Sequence, residues 1–184
     1  MNPLERSGKP LFFRVSNPDR TGLTIPSNRK GAALRTAVRS LSLMQKEALI
    51  ASSATGAVWR VASDEGAYLN GDDAAPCPLA HLTTGMVASF MEEIQALARD
   101  RSIELRHIRL VQDNYYTMEG SALKGTMTGG ALPVEVEAEI DSPADRDALH
   151  RLVEDAVGRS PAHGLIQDVL ESRFTLTHNG RKIE

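Results

Sequence analysis

A single cysteine, Cys77, stands among the 184 residues. That excludes an internal disulfide framework and suits a reducing compartment. Long apolar runs are lacking too: nothing approaches the ~20 apolar residues of a membrane-spanning helix. The stretch from Met1 to Val15 carries only Leu11-Phe12-Phe13, cut off at once by Arg14, where a secretory signal needs a longer apolar region and a cleavage site. A cytoplasmic protein with no membrane partner is expected. Charge of one sign is not concentrated either. The formal net charge is -3 and the pI near 6.0, and the cluster from Arg101 to Arg109 is interrupted by Glu104 and apolar residues, so nucleic acid is not an expected partner. His81, His107, His150, His163 and His178 show no close metal-ligand spacing and no cysteine cluster joins them; no metal and no cofactor are expected. His150 and Glu154, one helical turn apart, read as an exposed contact.

What is present is ordinary globular material. Hydrophobic residues make up 41% and charged residues 24%, and the length suits one domain with a real core. Turn formers (Asn17-Pro18-Asp19, Gly22, Pro26-Ser27-Asn28) make the first ~25 residues an arm with room for one short strand. Leu34, Val38 and Leu41, at steps of four and three, suggest a short helix over residues 30 to 42. Lys46 to Ser52 and Ala57 to Ser63 read as strands joined by a turn at Ser53 to Gly56. Asp64 to Pro76 reads as loop with a brief extended piece at Tyr68-Leu69.

A helix opens at Pro78, since proline is favoured at a first helical position where its missing N–H costs nothing. Leu79, Leu82, Met86, Phe90, Ile94 and Leu97 follow as a stripe wide enough to face a core. The period then changes. Ile103 to Gln112 and Ser121 to Thr128 look like strands, and after Pro133 the apolar Val134, Val136, Ala138 and Ile140 alternate with Glu135, Glu137 and Glu139. Three carboxylates on one face with no nitrogen ligand among them indicate a solvated sheet face rather than a metal site. Ser142-Pro143-Ala144-Asp145 resembles a capped helix start, with Leu149, Leu152, Val153, Ala156 and Val157 as the apolar stripe and Gly158 as a stop. Ser160-Pro161 starts a second short helix, and residues 172 to 178 close the chain as a strand with Phe174 and Leu176 on one face. Strands, long helix, strands, two helices and strand make an α+β order.

Two stretches carry a family resemblance. Ser63-Asp64-Glu65-Gly66 continues through Gly71-Asp72-Asp73-Ala74-Ala75-Pro76-Cys77-Pro78-Leu79 into Gly85-Met86-Val87-Ala88-Ser89-Phe90, and Leu152 to Val157 leads into Arg159-Ser160-Pro161. Together they resemble the OsmC/Ohr superfamily of hydroperoxide-resistance and oxidative-stress-response proteins over roughly residues 57 to 178. The resemblance implies an OsmC-like fold of antiparallel sheets around a long central helix, with 1–184 a single domain and 1–56 a divergent arm and strands. It also implies an intertwined homodimer with shared sites, to which Leu11-Phe12-Phe13 is suited as a contact. In the family one cysteine attacks a hydroperoxide to become a sulfenic acid, which a second resolves as a disulfide. Those positions match Ser89 and Ser160 here, the family's acidic residue near the helix start falls at Leu79, and its N-terminal arginine has no assigned counterpart. A serine hydroxyl is far less acidic than a thiol and cannot follow the sulfenic acid and disulfide route, so the active site reads as degenerate.

Three functional readings remain open. In the first, the fold is a binding or regulatory module for a small apolar or peroxide-like molecule, held at a polar point formed by Ser89 and Ser160 beside Leu82, Gly85 and His163; a serine bonded to its own helix is the plain alternative. In the second, Ser160 and His163 with Ser89 begin a nucleophilic site for a hydrolase, although no third orienting residue and no Gly-x-Ser-x-Gly elbow accompany them. In the third, Cys77 at the probable N-cap supplies a displaced thiol for hydroperoxide reduction, 12 residues from Ser89 and with no resolving partner in the chain.

Overall fold

The computed structural model describes residues 1–27, 31–167, 175–178 and 181–183, and its contacts fall into two units, Met1–Leu82 and Thr83–Glu184. The first unit is built on an antiparallel four-stranded sheet of β1 (Phe12–Arg14), β2 (Leu34–Ser42), β3 (Gln45–Ser52) and β4 (Val58–Ser63), in the order β1-β4-β3-β2. The two strands expected around the Ser53–Gly56 turn are β3 and β4. The helix expected over 30 to 42 is instead β2, which runs antiparallel to β3 from Leu34↔Ser52 to Ser42↔Gln45. A spacing of four is an even number, so Leu34 and Val38 share a face of a strand as well as of a helix. Ladder pairing with β3 decides between the two.

Ahead of the sheet, α1 (Pro3–Arg6) is closed by a capping box in which Asn2 and Glu5 each accept the other's backbone N–H at 3.0 Å. Its Leu4 is buried with Ala62 and Ala75 against Leu41 and Ala74. Short 3₁₀ turns occupy Pro18–Thr21 and Ala67–Leu69. The second replaces the extended piece expected at Tyr68-Leu69: Gly66 O accepts from both Leu69 N and Gly71 N, which curls the loop. Arg60 is buried on β4. Its guanidinium reaches Glu47 at 3.1 Å and Pro10 O at 2.6 Å. Burial works to raise the Glu47 pKa, but Arg39 and Arg60 outweigh it and hold the carboxyl below its usual value.

Helix α2 (Pro78–Asp100) begins in the first unit and continues into the second. Cys77 O accepts the N–H groups of Ala80 and His81, so the helix starts where proline permits it to. Met86, Phe90, Ile94, Leu97 and Ala98 are buried, at nearly the expected spacing. Leu79 and Leu82 are 44% and 47% exposed, so the stripe faces a core only from Met86 onward. That core joins Phe90, Ile94, Leu97 and Ala98 to Leu152 and Ala156 of α3 (Arg146–Arg159). Each such fully buried large side chain contributes about 1.5–3 kcal/mol.

The remaining strands pair antiparallel in twos: β5 (His107–Asp113) with β8 (Glu135–Asp141), β6 (Tyr116–Glu119) with β7 (Thr128–Ala131), and β9 (Leu176–His178) with β10 (Arg181–Ile183). The strand expected at Ser121 to Thr128 is mostly a turn. Gly120 has φ +100°, and a Cβ there would lie 2.1 Å from Thr126 O, so the chain reverses before β7 begins. On β8 the three glutamates are exposed as expected, with Tyr115 donating to Glu135 at 2.9 Å. Val136 and Ala138 are exposed too, so both faces of this part of β8 are open.

Asp145 caps α3 by accepting from Ala148 N at 2.9 Å. The helix passes through Gly158 and ends at Arg159, one residue beyond the expected stop, before α4 (Pro161–Gln167). His150 and Glu154 meet at 3.2 Å, both exposed. Phe174 lies outside the described residues, and β10 was not anticipated. Among the described residues no helix is long and apolar enough to cross a membrane. The architecture is α+β, with antiparallel sheets and one long helix, as the element order indicated.

Candidate functional site

The second unit brings Ser89 and Ser160 together: their Oγ atoms are 3.1 Å apart although 71 residues separate them in the chain. Local rules place both. Ser89 lies one residue before the buried Phe90 on α2, so it sits at the edge of the buried stripe and is half-buried. Ser160 precedes Pro161, and the residue before a proline is disfavoured in the helical region. It accordingly takes φ -69° and ψ 115° and ends α3, its N–H bonding Ala156 O while its carbonyl accepts from Gly164 N. The Ser160 side chain is 2% exposed.

His163 completes a three-residue chain. Its Nδ1 lies 3.0 Å from Ser160 Oγ, and Phe90 packs against the ring in an edge-on geometry at 5.2 Å. The imidazole is 3% exposed, and its Nε2 is buried without a partner. Burial pushes its pKa down, so the neutral ring is favoured. Gly85, one turn before Ser89, is exposed, and a Cβ there would meet nothing within 4 Å. Leu82 is exposed and belongs to the first unit. Cys77 is a half-buried free thiol in the first unit, whose carbonyl rather than sulfur takes the first helical N–H groups. Leu79 is exposed.

Asp64 enters the sequence only as part of the family pattern, with no role attached to it. Asp64 is fully buried and accepts from the backbone N–H groups of Glu65, Asp72 and Ala74 and from Gln45 Nε2. A cavity of about 360 Å³ opens against β2, β3 and β4, with Lys46 and Ser63 on its wall, a juxtaposition that exists only once β3 and β4 are paired. Among the described residues no group of three His, Cys, Asp or Glu side chains is placed to hold a metal ion.

No family model matches the chain, and no curated protein matches it by sequence. Solved structures do resemble it. An OsmC-like hydroperoxide resistance protein from Jannaschia sp. CCS1 is similar over 83% of this chain and 97% of its own length, with 19% identity and a TM-score of 0.54. An OsmC-like protein from Mycoplasma pneumoniae is similar over 76% of this chain and 89% of its own, with 17% identity and a TM-score of 0.55. An organic hydroperoxide resistance protein from Legionella pneumophila is similar over 73% and 89%, with 17% identity and a TM-score of 0.53. The chain therefore has the OsmC-like fold. That is the fold implied by the two stretches around Ser89 and Ser160.

Proposed function

We propose that the chain is a divergent single-domain OsmC/Ohr relative, cytoplasmic, in which the Ser89–Ser160 pair does not reduce hydroperoxides and instead binds a small molecule carrying a hydrogen-bond acceptor. The observation that carries this reading is the hydrogen-bonded chain from His163 through Ser160 to Ser89. Its direction follows from an asymmetry of cost. With the proton on Nε2, His163 would bury an N–H donor with no acceptor; with the proton on Nδ1 only a lone pair goes unused, which proteins tolerate better. Nδ1–H then donates to Ser160 Oγ. The buried Ser160 hydroxyl donates in turn to Ser89 Oγ, its one side-chain acceptor within reach among the described residues. The proton of the half-buried Ser89 is left for an acceptor outside the chain.

The same direction argues against a hydrolase. A serine nucleophile needs a base with a free lone pair to take its proton, and here the nitrogen facing Ser160 is the one that carries a proton. Loss of thiol peroxidase chemistry rests on the two serines, whose oxygens cannot form a sulfenic acid.

Cumene hydroperoxide, an acceptor oxygen on an apolar body, tests both halves. Titrated against the protein with dithiothreitol present, it should shift the His163 ring resonances saturably while its own concentration stays constant. Ser89→Val should abolish the shift. Consumption of the peroxide that stops in Cys77→Ser would overturn the reading and make the displaced thiol the nucleophile.

A homodimer belongs to the same proposal. It is supported by Met118, Leu123 and Leu132 of the β6–β7 region, large apolar side chains 67%, 101% and 55% exposed of the kind that marks an interaction surface. Sedimentation at micromolar concentration should report about twice the 20.0 kDa chain mass. A clean monomer would remove the dimer and any site shared between copies.

A further inference from the structure

The face of the first unit's sheet that carries Lys46 is graded from polar to apolar. Register aligns Lys46 of β3 opposite Ser63 of β4, with Ser40 of β2 on the other side. The next row along the strands is Val38, Ala48 and Val61, and the one after it Thr36, Ile50 and Trp59. Alternate residues of a strand share a face, so these side chains line one surface. Members of all three rows, with Pro78 and His81 from the start of α2, line an open cavity of about 360 Å³, within the size range of small-molecule sites.

Two polar groups on this apolar wall are unaccounted for by the fold. Ser63 Oγ is buried without a hydrogen-bond partner, an arrangement native proteins rarely leave unexplained. Lys46 spends one donor on Met44 O at 2.6 Å and forms no ion pair among the described residues; its neighbour Glu47 points to the opposite face, where Arg39 and Arg60 hold it. An ammonium has three donors, so two remain on the residue whose cross-strand partner is Ser63. His81 Nε2 lies 3.0 Å from the Ala62 carbonyl, which can only accept, so that nitrogen is spent as a donor to the backbone.

We infer that this cavity is a second binding site, separate from Ser89 and Ser160, for an aliphatic monocarboxylate whose head group meets Lys46 and Ser63 and whose chain lies along Val38, Ala48, Val61 and Ile50. The carboxylate accepts from the ammonium and the hydroxyl together, which satisfies Ser63 and neutralises Lys46. The chain covers the apolar rows. From Lys46 to Ile50 is four residues of strand, about 13 Å, which sets a medium chain length.

Trp59, the one tryptophan, stands opposite Ile50 at the apolar end and reports occupancy by its emission. Titration of the full chain with octanoate should give a saturable change, and 1-octanol should bind at least about tenfold more weakly, the loss expected for one charge-assisted hydrogen bond. Lys46→Met should bring octanoate down to the level of octanol. Val38→Glu, at a position 62% exposed where the fold tolerates a charge, should weaken octanoate by a similar factor and guards against a misfolded Lys46 variant. Ser89→Val should leave octanoate binding unchanged. Equal affinity for octanoate and octanol, octanoate binding untouched by both sheet substitutions, or no saturable change in the natural protein would each overturn the site.

Discussion

Asp64→Ala should destabilise the first unit by about 3–5 kcal/mol, because it leaves several donors without an acceptor where each unmet one costs about 1–3 kcal/mol and entering water offsets part of the sum. Asp64 is 0% exposed at the end of β4, and its two oxygens accept from the backbone of Glu65, Asp72 and Ala74 and from Gln45. Gln45 in turn holds Leu4 N through its Oε1, so the carboxylate ties α1, β3 and the following loop to one point. Burial acts to raise the Asp64 pKa, but the hydrogen bonds from Ala74, Glu65, Asp72 and Gln45 prevail and lower it. A carboxyl whose folded pKa lies below its unfolded value contributes stability that is present above the unfolded value and disappears as pH falls through the folded one. Urea titrations across that acid window should therefore show the natural protein losing stability while Asp64→Ala loses less. Asp64→Ala within about 1 kcal/mol of the natural protein, or with the same acid dependence, would remove the carboxylate from its place as organiser.

That role bears on what the sequence made legible. The stretch from Asp64 to Pro78 drew notice as part of a family pattern, and its residues shape the fold rather than supply chemistry. Gly71 is a further case, since a Cβ there would lie 1.8 Å from Glu65 O, and only glycine lets the loop close around Asp64. Elements with one strong period were readable directly. The 3.6-residue stripe of α2 from Met86 to Leu97 and the stripe of α3 needed no partner to be recognised. β2 was not, because Leu34 and Val38 satisfy both periods and only their ladder to β3 settles the matter. The same limit hid the pairing of Lys46 with Ser63. Each is unremarkable in its own strand, and their juxtaposition exists only once β3 and β4 are in register. Ser89 and Ser160 were paired through the family resemblance, since nothing in their own neighbourhoods relates positions 71 residues apart.

Ser89→Cys combined with Ser160→Cys should form an intrachain disulfide under mild oxidant, with two thiols lost and Cys77 remaining free. The oxygens are already 3.1 Å apart. A C–S bond is longer than a C–O bond, and a sulfur pair needs to close to only about 2.05 Å, so the two side chains face each other with little left to move. The closed loop spans the core between α2 and α3, and constraining the unfolded chain over such a loop should add about 2–4 kcal/mol to the stability of the oxidised form. Reduction should abolish that gain. Peroxidase activity should not return with the sulfurs, and the reason lies around them. A thiol becomes reactive when neighbouring charge stabilises its thiolate, and the group facing position 160 is the buried His163, whose neutral ring burial favours. Disulfide formation without turnover would separate the two things the family joins, the geometry of its sulfur pair and the electrostatics that make it react. Thiols that stayed free under oxidant would break the matching of Ser89 and Ser160 to those positions, and with it the argument for a ligand at Ser89.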